Sequence, residues 1–171
     1  MILTIIQDDI TKLKVDAIVN AANSSLMGGG GVDGAIHRVA GVELKKECME
    51  IHKNLYPNGL PIGKAVYTKG FNLPAKYVIH TVGPTYSPNN LEKLKQCYIE
   101  CLTLAEKLGC TTIAFPAIST GAFRVPIEVS AKIVKEVLSD FKTPFGEIIL
   151  VLFSAKDKEV YESVFSKDVL T

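Results

Sequence analysis

Short apolar runs alternate with amphipathic stretches from one end of this 171-residue chain to the other, and that order restricts the fold more than any other feature. Strands separated by helices cannot pair as tight hairpins. Each crossover brings the chain back to the same edge of a sheet, so neighbouring strands run parallel and helices must cover both faces. An α/β fold with a largely parallel sheet is expected, and ligands of such folds sit at the carboxyl ends of the strands.

Ile2 to Gln7 and Ala17 to Asn20 read as the first strands, and Val32 to His52 carries helical periodicity that breaks near Gly41. The segment Tyr56 to Gly63 is dense in turn formers, and the strands Lys64 to Lys69 and Tyr77 to Val82 follow it. Asn89 to Leu108 sets Leu91, Leu94, Tyr98, Cys101, Leu102, Ala105 and Leu108 on one stripe, and Gly109 stops that helix. Thr112 to Phe115 is a short buried strand, and a helix begins at Pro126 and runs to about Phe141. Glu147 to Phe153 is the final strand and Asp157 to Phe165 the closing helix. No repeat or linker interrupts this order, so residues 1–171 are expected to form one domain.

A net charge of +1 with no block of like charges offers a nucleic acid no electrostatic footprint, so no nucleic-acid partner is expected. No apolar run approaches the roughly 18 residues of a membrane span, so no membrane partner is expected either. The stretch Met1 to Asp9 lacks a basic leader region, which makes the cytoplasm the expected location. Cys48, Cys97, Cys101 and Cys110 form no C-x-x-C pair, and with His37, His52 and His80 they form no metal-ligand spacing. They read as buried thiols. Cys48 and His52 could share a helix face as nucleophile and base, but no orienting group or oxyanion loop is evident near them.

Four consecutive glycines, Gly28 to Gly31, contribute no side-chain contacts and are entropically costly, which suggests close approach of the backbone to something else. The run empties into a helical segment starting at Val32, and a helix N-terminus presents free N–H groups to an anion. A second loop, Ala117 to Phe123, follows the strand Thr112 to Phe115. Its Ser119, Thr120 and Gly121 offer consecutive N–H groups and hydroxyls that can curl around an oxyanion. Two such loops suggest a diphosphate. Gly29 to Gly34 satisfies G-x-G-x-x-G, but a Rossmann unit needs its first glycine directly after a strand and an acid at the end of the next one. Here Gly29 lies nine positions past Asn20, and the next strand begins only near Lys64. The absence of Gly-Lys-Ser/Thr excludes a triphosphatase P-loop.

Asn20-Ala-Ala-Asn23, Gly28 to His37, His80-Thr-Val-Gly-Pro84 and Phe115 to Gly121 resemble the motifs of MacroD-type macrodomains, in the same order and over nearly the whole chain. The resemblance implies a three-layer α/β/α sandwich around a mixed, mostly parallel sheet. It also implies an ADP-ribose-binding hydrolase that removes ADP-ribose from acidic side chains of proteins and deacetylates O-acetyl-ADP-ribose. The partners would be ADP-ribose, its conjugates and mono-ADP-ribosylated proteins, and neither a cofactor nor a metal is implied.

Carried over position by position, Asp9 matches the acid that accepts from the adenine amino group, with the Ile10 N–H beside it. The family usually has glycine before that acid; this chain has Asp8, a residue type that tolerates the positive φ such a turn would need. Phe153 matches the aromatic residue against adenine. Gly30, Gly31 and Val32 match one diphosphate cradle, Ser119, Thr120, Gly121 and Ala122 the other, and Phe123 the aromatic residue against the distal ribose. Asn23 and Asp33 match the pair credited with catalysis. Asn23 would fix the distal sugar and Asp33 would orient water, a helix N-terminus lowering its pKa while a bound diphosphate raises it. A non-catalytic reader of ADP-ribose or its polymer is the alternative, and it would need the glycine cradle without these two polar groups.

Overall fold

A computed structural model of the protein describes residues 1–142 and 145–166. The expected domain over 1–171 therefore includes a few residues that lie outside those described. Six strands form one sheet: β1 (Ile2–Gln7), β2 (Ala17–Ala21), β3 (Ala65–Lys69), β4 (Tyr77–Thr81), β5 (Thr112–Phe115) and β6 (Glu147–Leu152). Their spatial order is β1-β6-β5-β2-β4-β3. Every pairing is parallel except β3 with β4, which makes the sheet mixed as expected. Among the described residues, β3 and β4 are neighbours in the sheet that follow one another in sequence with no helix between them, so they are free to run antiparallel.

Helices α1 (Gly31–Ala40) and α2 (Val42–Asn54) cover one face, and α3 (Leu91–Lys107), α4 (Ile127–Asp140) and α5 (Ala155–Ser166) cover the other. The expected break at Gly41 is the junction of α1 and α2, where φ is +90° and glycine alone is unstrained. Strand alternation feeds both layers. Ile18 faces Ile36, Leu44 and Cys48, while its neighbours Ala17 and Val19 face Leu94, Tyr98 and Leu102 on the opposite side. Each such buried aliphatic side chain contributes about 1.5–3 kcal/mol.

Boundaries differ from the sequence reading by one or two residues, with two consequences. Strand β6 ends at Leu152, so Phe153 lies just beyond it and is 95% exposed rather than packed in the core. A short 3-10 turn, Ile10–Lys12, follows β1 and is capped by Asp9. Because the inner strands are parallel, β1, β6, β5 and β2 all end at one edge of the sheet. No helix among the described residues is long and apolar enough to cross a membrane.

Candidate active site

The segments singled out in the sequence leave that edge side by side. Asp9 follows β1, Phe153 follows β6, the loop holding Ser119 to Phe123 follows β5, and Asn23 to Asp33 follow β2. Adjacent strands lie about 4.8 Å apart, so the four segments form a row roughly 14 Å long. A row of that length suits an elongated ligand with chemically distinct parts.

At the β1 end, Asp9 Oδ1 accepts from the Thr11 backbone N–H at 3.0 Å and from the Thr11 hydroxyl at 2.7 Å. The hydroxyl bond is the main reason its carboxyl titrates below the usual range. Both bonds fall on Oδ1, which leaves Oδ2 with acceptor capacity. Ile10 is buried beneath it. The expectation of a positive φ at Asp8 is not met. Asp8 instead accepts from the Asp9 N–H at 2.7 Å, and its own N–H donates to the Leu152 carbonyl, joining the ends of β1 and β6.

At the other end, Gly30 caps α1 with a φ of −94° that any residue can adopt, and a Cβ built there would meet nothing within 4 Å. Neither the backbone nor the packing of the protein requires glycine at this position. What it provides is open space in front of a helix N-terminus whose Gly31, Val32 and Asp33 N–H groups precede the first helical hydrogen bond, Gly34 N–H to Gly30 O. Gly34 is different: its Cβ would lie 2.4 Å from the Gly29 carbonyl, so glycine there lets loop and helix touch.

Asp33 is 5% exposed. Its Oδ1 accepts from Asn20 Nδ2 at 2.8 Å and lies 3.5 Å from His37 Nε2. A Cβ on Gly29 would lie 3.4 Å from both Asp33 Oδ2 and Asn23 Nδ2, so the two side chains expected to act together do flank one point in the loop. Asn23 is held there by donating to the Gly28 carbonyl at 2.9 Å and accepting from the Ser25 hydroxyl at 2.7 Å. Burial raises the Asp33 pKa, against the lowering effects of the Asn20 bond and of His37. Desolvation thus outweighs those two effects, and Asp33 is a stronger base than an ordinary carboxylate.

The β5 loop departs from expectation at one residue. Thr120 is turned into the loop, its N–H and its hydroxyl both directed at the Ala117 carbonyl. The Arg124 and Val125 N–H groups close the loop by donating to the Gly121 and Ser119 carbonyls, while the N–H groups of Ser119, Gly121, Ala122 and Phe123 make no bond among those described. Ser119 has a φ of +67°, and its buried hydroxyl has no partner. Such a curled backbone is a concave anion site. Phe123 stands at the rim, 39% exposed, its carbonyl bonded to the Tyr86 N–H.

A family model described as Macro domain matches residues 19–134, the stretch that carries the β2 and β5 loops. The chain is a macro domain. It is 48% identical over 161 residues to a macro domain-containing protein of Streptomyces coelicolor, covering 93% of this chain and 95% of that one. It is 47% identical over 162 residues to an ADP-ribose glycohydrolase MACROD2 of Xenopus laevis, covering 90% of this chain and 37% of that longer protein. Among solved structures, a glycine-to-valine variant of the Oceanobacillus iheyensis macrodomain with ADPR superimposes with a TM-score of 0.93. The two are 40% identical, and the match covers 98% of this chain and 93% of the other.

Three polar residues of this macro domain received no role from the sequence: Asn20, His37 and His80. The signal was present for two of them. Asn20 and His80 interrupt the apolar strands Ala17-Ile-Val and Tyr77-Val-Ile, and a polar group inside a buried strand must find a partner. Cys48 and His52, weighed as a nucleophile and base, do not meet. The Cys48 sulfur lies 3.9 Å from His80 Nε2, and burial pushes its thiol up to about 12, which removes it as a nucleophile. All four cysteines are buried and free.

Proposed function

We propose that this macro domain binds ADP-ribose and hydrolyses its esters, releasing ADP-ribose from modified aspartate or glutamate side chains and acetate from O-acetyl-ADP-ribose. The observation that carries this reading is Asp33: a buried carboxylate with a raised pKa, gripped on one oxygen by Asn20 and facing Asn23 with the other. A module that only held the ligand would gain nothing from a desolvated acid beside the glycine cradle whose partners do not offset the cost of its burial.

Adenine lies at the Asp9 and Phe153 end of the row, the diphosphate between the α1 N-terminus and the β5 loop, and the distal ribose over Asn23 and Asp33. Phosphate oxygens accept from backbone N–H groups at Gly31, Val32, Gly121 and Ala122. Asn23 donates to or accepts from a ribose hydroxyl and fixes the sugar. Asp33 orients a water, takes one of its protons as the water attacks the acyl carbon, and returns that proton to the departing sugar oxygen. The ester C–O bond then breaks to give a carboxylic acid and the free sugar hydroxyl. The name of the Xenopus relative and the ADPR in the Oceanobacillus structure support the ligand and the hydrolytic class.

Calorimetry with ADP-ribose, run beside a release assay on a glutamate-modified protein, tests this directly. Binding with release is expected. Binding without release would make the protein a reader, and no binding would remove ADP-ribose as its ligand.

A further inference from the structure

The hydrogen bonds that reach Asp33 do not stop at Asn20. Asn20 Nδ2 lies 2.8 Å from Asp33 Oδ1 and also 3.1 Å from His80 Nδ1. An amide nitrogen carries two protons and no acceptor, so both contacts are donations and His80 Nδ1 is the bare ring nitrogen. The ring proton therefore sits on Nε2, where it donates to Thr68 Oγ1 at 3.0 Å. Asn20, His80 and Thr68 are 0% exposed, and they stand on the neighbouring strands β2, β4 and β3, with Asn20 and His80 directly in register.

The other groups around the ring keep this arrangement in one protonation state. Burial, with a smaller contribution from His37 on α1, drives His80 down to about 3, so the ring is neutral. Cys48 on α2 stays a thiol, and Asp33, which also has His37 Nε2 3.5 Å from its Oδ1, is linked to the His80 ring by hydrogen bonds through the Asn20 amide. Exchanging the amide oxygen and nitrogen of Asn20 would set its oxygen, an acceptor, against the Asp33 carboxylate.

One detail separates this chain of groups from ordinary core satisfaction. Asn20 Oδ1 is buried with no hydrogen-bond partner. An amide retained for packing would have both ends bonded, whereas here only the N–H end is used. That end points to Asp33.

We propose that His80, seated on Thr68, is a positioning residue: it fixes the Asn20 amide with one N–H on Asp33, and thereby holds that carboxylate ionised and aimed at the cleft. Its importance for turnover rests on the hydrolase reading of Asp33 above; its effect on Asp33 itself does not. Thr68→Val removes the hydroxyl at nearly constant shape and leaves the His80 Nε2–H only the weak, distant Cys48 sulfur at 3.9 Å as an acceptor. Moving the proton to Nδ1 would only set it against the Asn20 N–H.

Nitrogen-15 shifts of the His80 ring and carbon-13 titration of the Asp33 carboxyl, in the unaltered protein, Thr68→Val and Thr68→Ser, test the proposal. The Nε2–H tautomer is expected in the unaltered protein and in Thr68→Ser. In Thr68→Val the Asp33 midpoint should rise by about one pH unit, the scale of one weakened charge-assisted hydrogen bond, and Thr68→Ser should restore it. The acid limb of ester release should move with it while ADP-ribose affinity stays within about twofold, since the cradle is untouched. A merely structural role would lower the melting temperature and leave both titrations in place. An Nδ1–H ring in the unaltered protein, or an unchanged Asp33 midpoint in folded Thr68→Val, overturns the proposal. Absence of ester release by the unaltered protein counts against the hydrolase reading alone, because both titrations are read without turnover.

Discussion

Two aspartates serve opposite ends of β2, and the protein treats them in opposite ways. Asp16, directly before the strand, accepts from the Thr111 N–H at 2.8 Å, the Thr111 hydroxyl at 3.1 Å and the Thr112 N–H at 3.2 Å. These bonds, the Thr111 N–H first, hold its carboxyl below the usual range and bolt β2 to the start of β5. Asp33, at the carboxyl end, has one strong bond and a pKa raised by burial. The first carboxylate stabilises the fold in its charged form, and the second is held charged at a cost. A residue kept in a conformationally fixed but electrostatically unfavourable site points to chemistry rather than to packing.

That contrast can be broken or sharpened by several changes, taken from the largest expected effect. Asn23→Ala frees the distal ribose, and kcat should fall about 100-fold, since a misplacement on the order of 1 Å costs that much. Comparison of kcat with ADP-ribose affinity checks it, and an equal loss in both would assign Asn23 to binding alone. Asp16→Ala should lower stability by about 2 kcal/mol, or Tm by about 4–8 °C, with turnover unchanged. Thermal melts beside a rate measurement read both. The sign with pH follows from the depressed pKa. This contribution is fully present above the ordinary carboxylate range and is lost as pH falls through the folded-state value, so the melting difference between the two proteins should vanish in acid.

Gly30→Val places a branched side chain where a Cβ meets no protein atom. Turnover should fall about tenfold while Tm stays within about 2 °C, because the added bulk faces ligand and not core. The smallest effect is in the pH–rate profile. Asp33 must be ionised to act, and burial raises its pKa, so the acid limb should lie above the ordinary carboxylate range rather than at it. A limb at the usual value would mean that some other group limits the rate.

Much of this was legible in the chain order. Helical and strand periods located every major element to within a few residues, because each element buries one face and the period of that face is written in its apolar positions. The loops of the site were legible for the converse reason: glycines at Gly28 to Gly31 have no packing to perform. What could not be read is how polar groups pair across strands distant in sequence. Asn20 and His80 are sixty positions apart and become neighbours only through the β2–β4 register. The same holds for the Asp33 pKa, which depends on how deeply α1 sits and not on its own segment. Thr120 shows a local limit, since the choice between offering an N–H outward and closing a turn depends on loop backbone angles that composition leaves open.

The central claim is that Asp33 is kept for chemistry at the expense of stability. The most direct measurement takes Asp33→Asn, which can still accept from Asn20, and follows Tm and ester release on the same preparation at pH 7. Above its raised pKa a buried carboxylate is less favourable in the folded protein than in the unfolded chain, so removing the charge should stabilise. A rise in Tm of about 3 °C with release reduced at least about 100-fold is expected. Full turnover, or a fall in Tm with turnover intact, would contradict it.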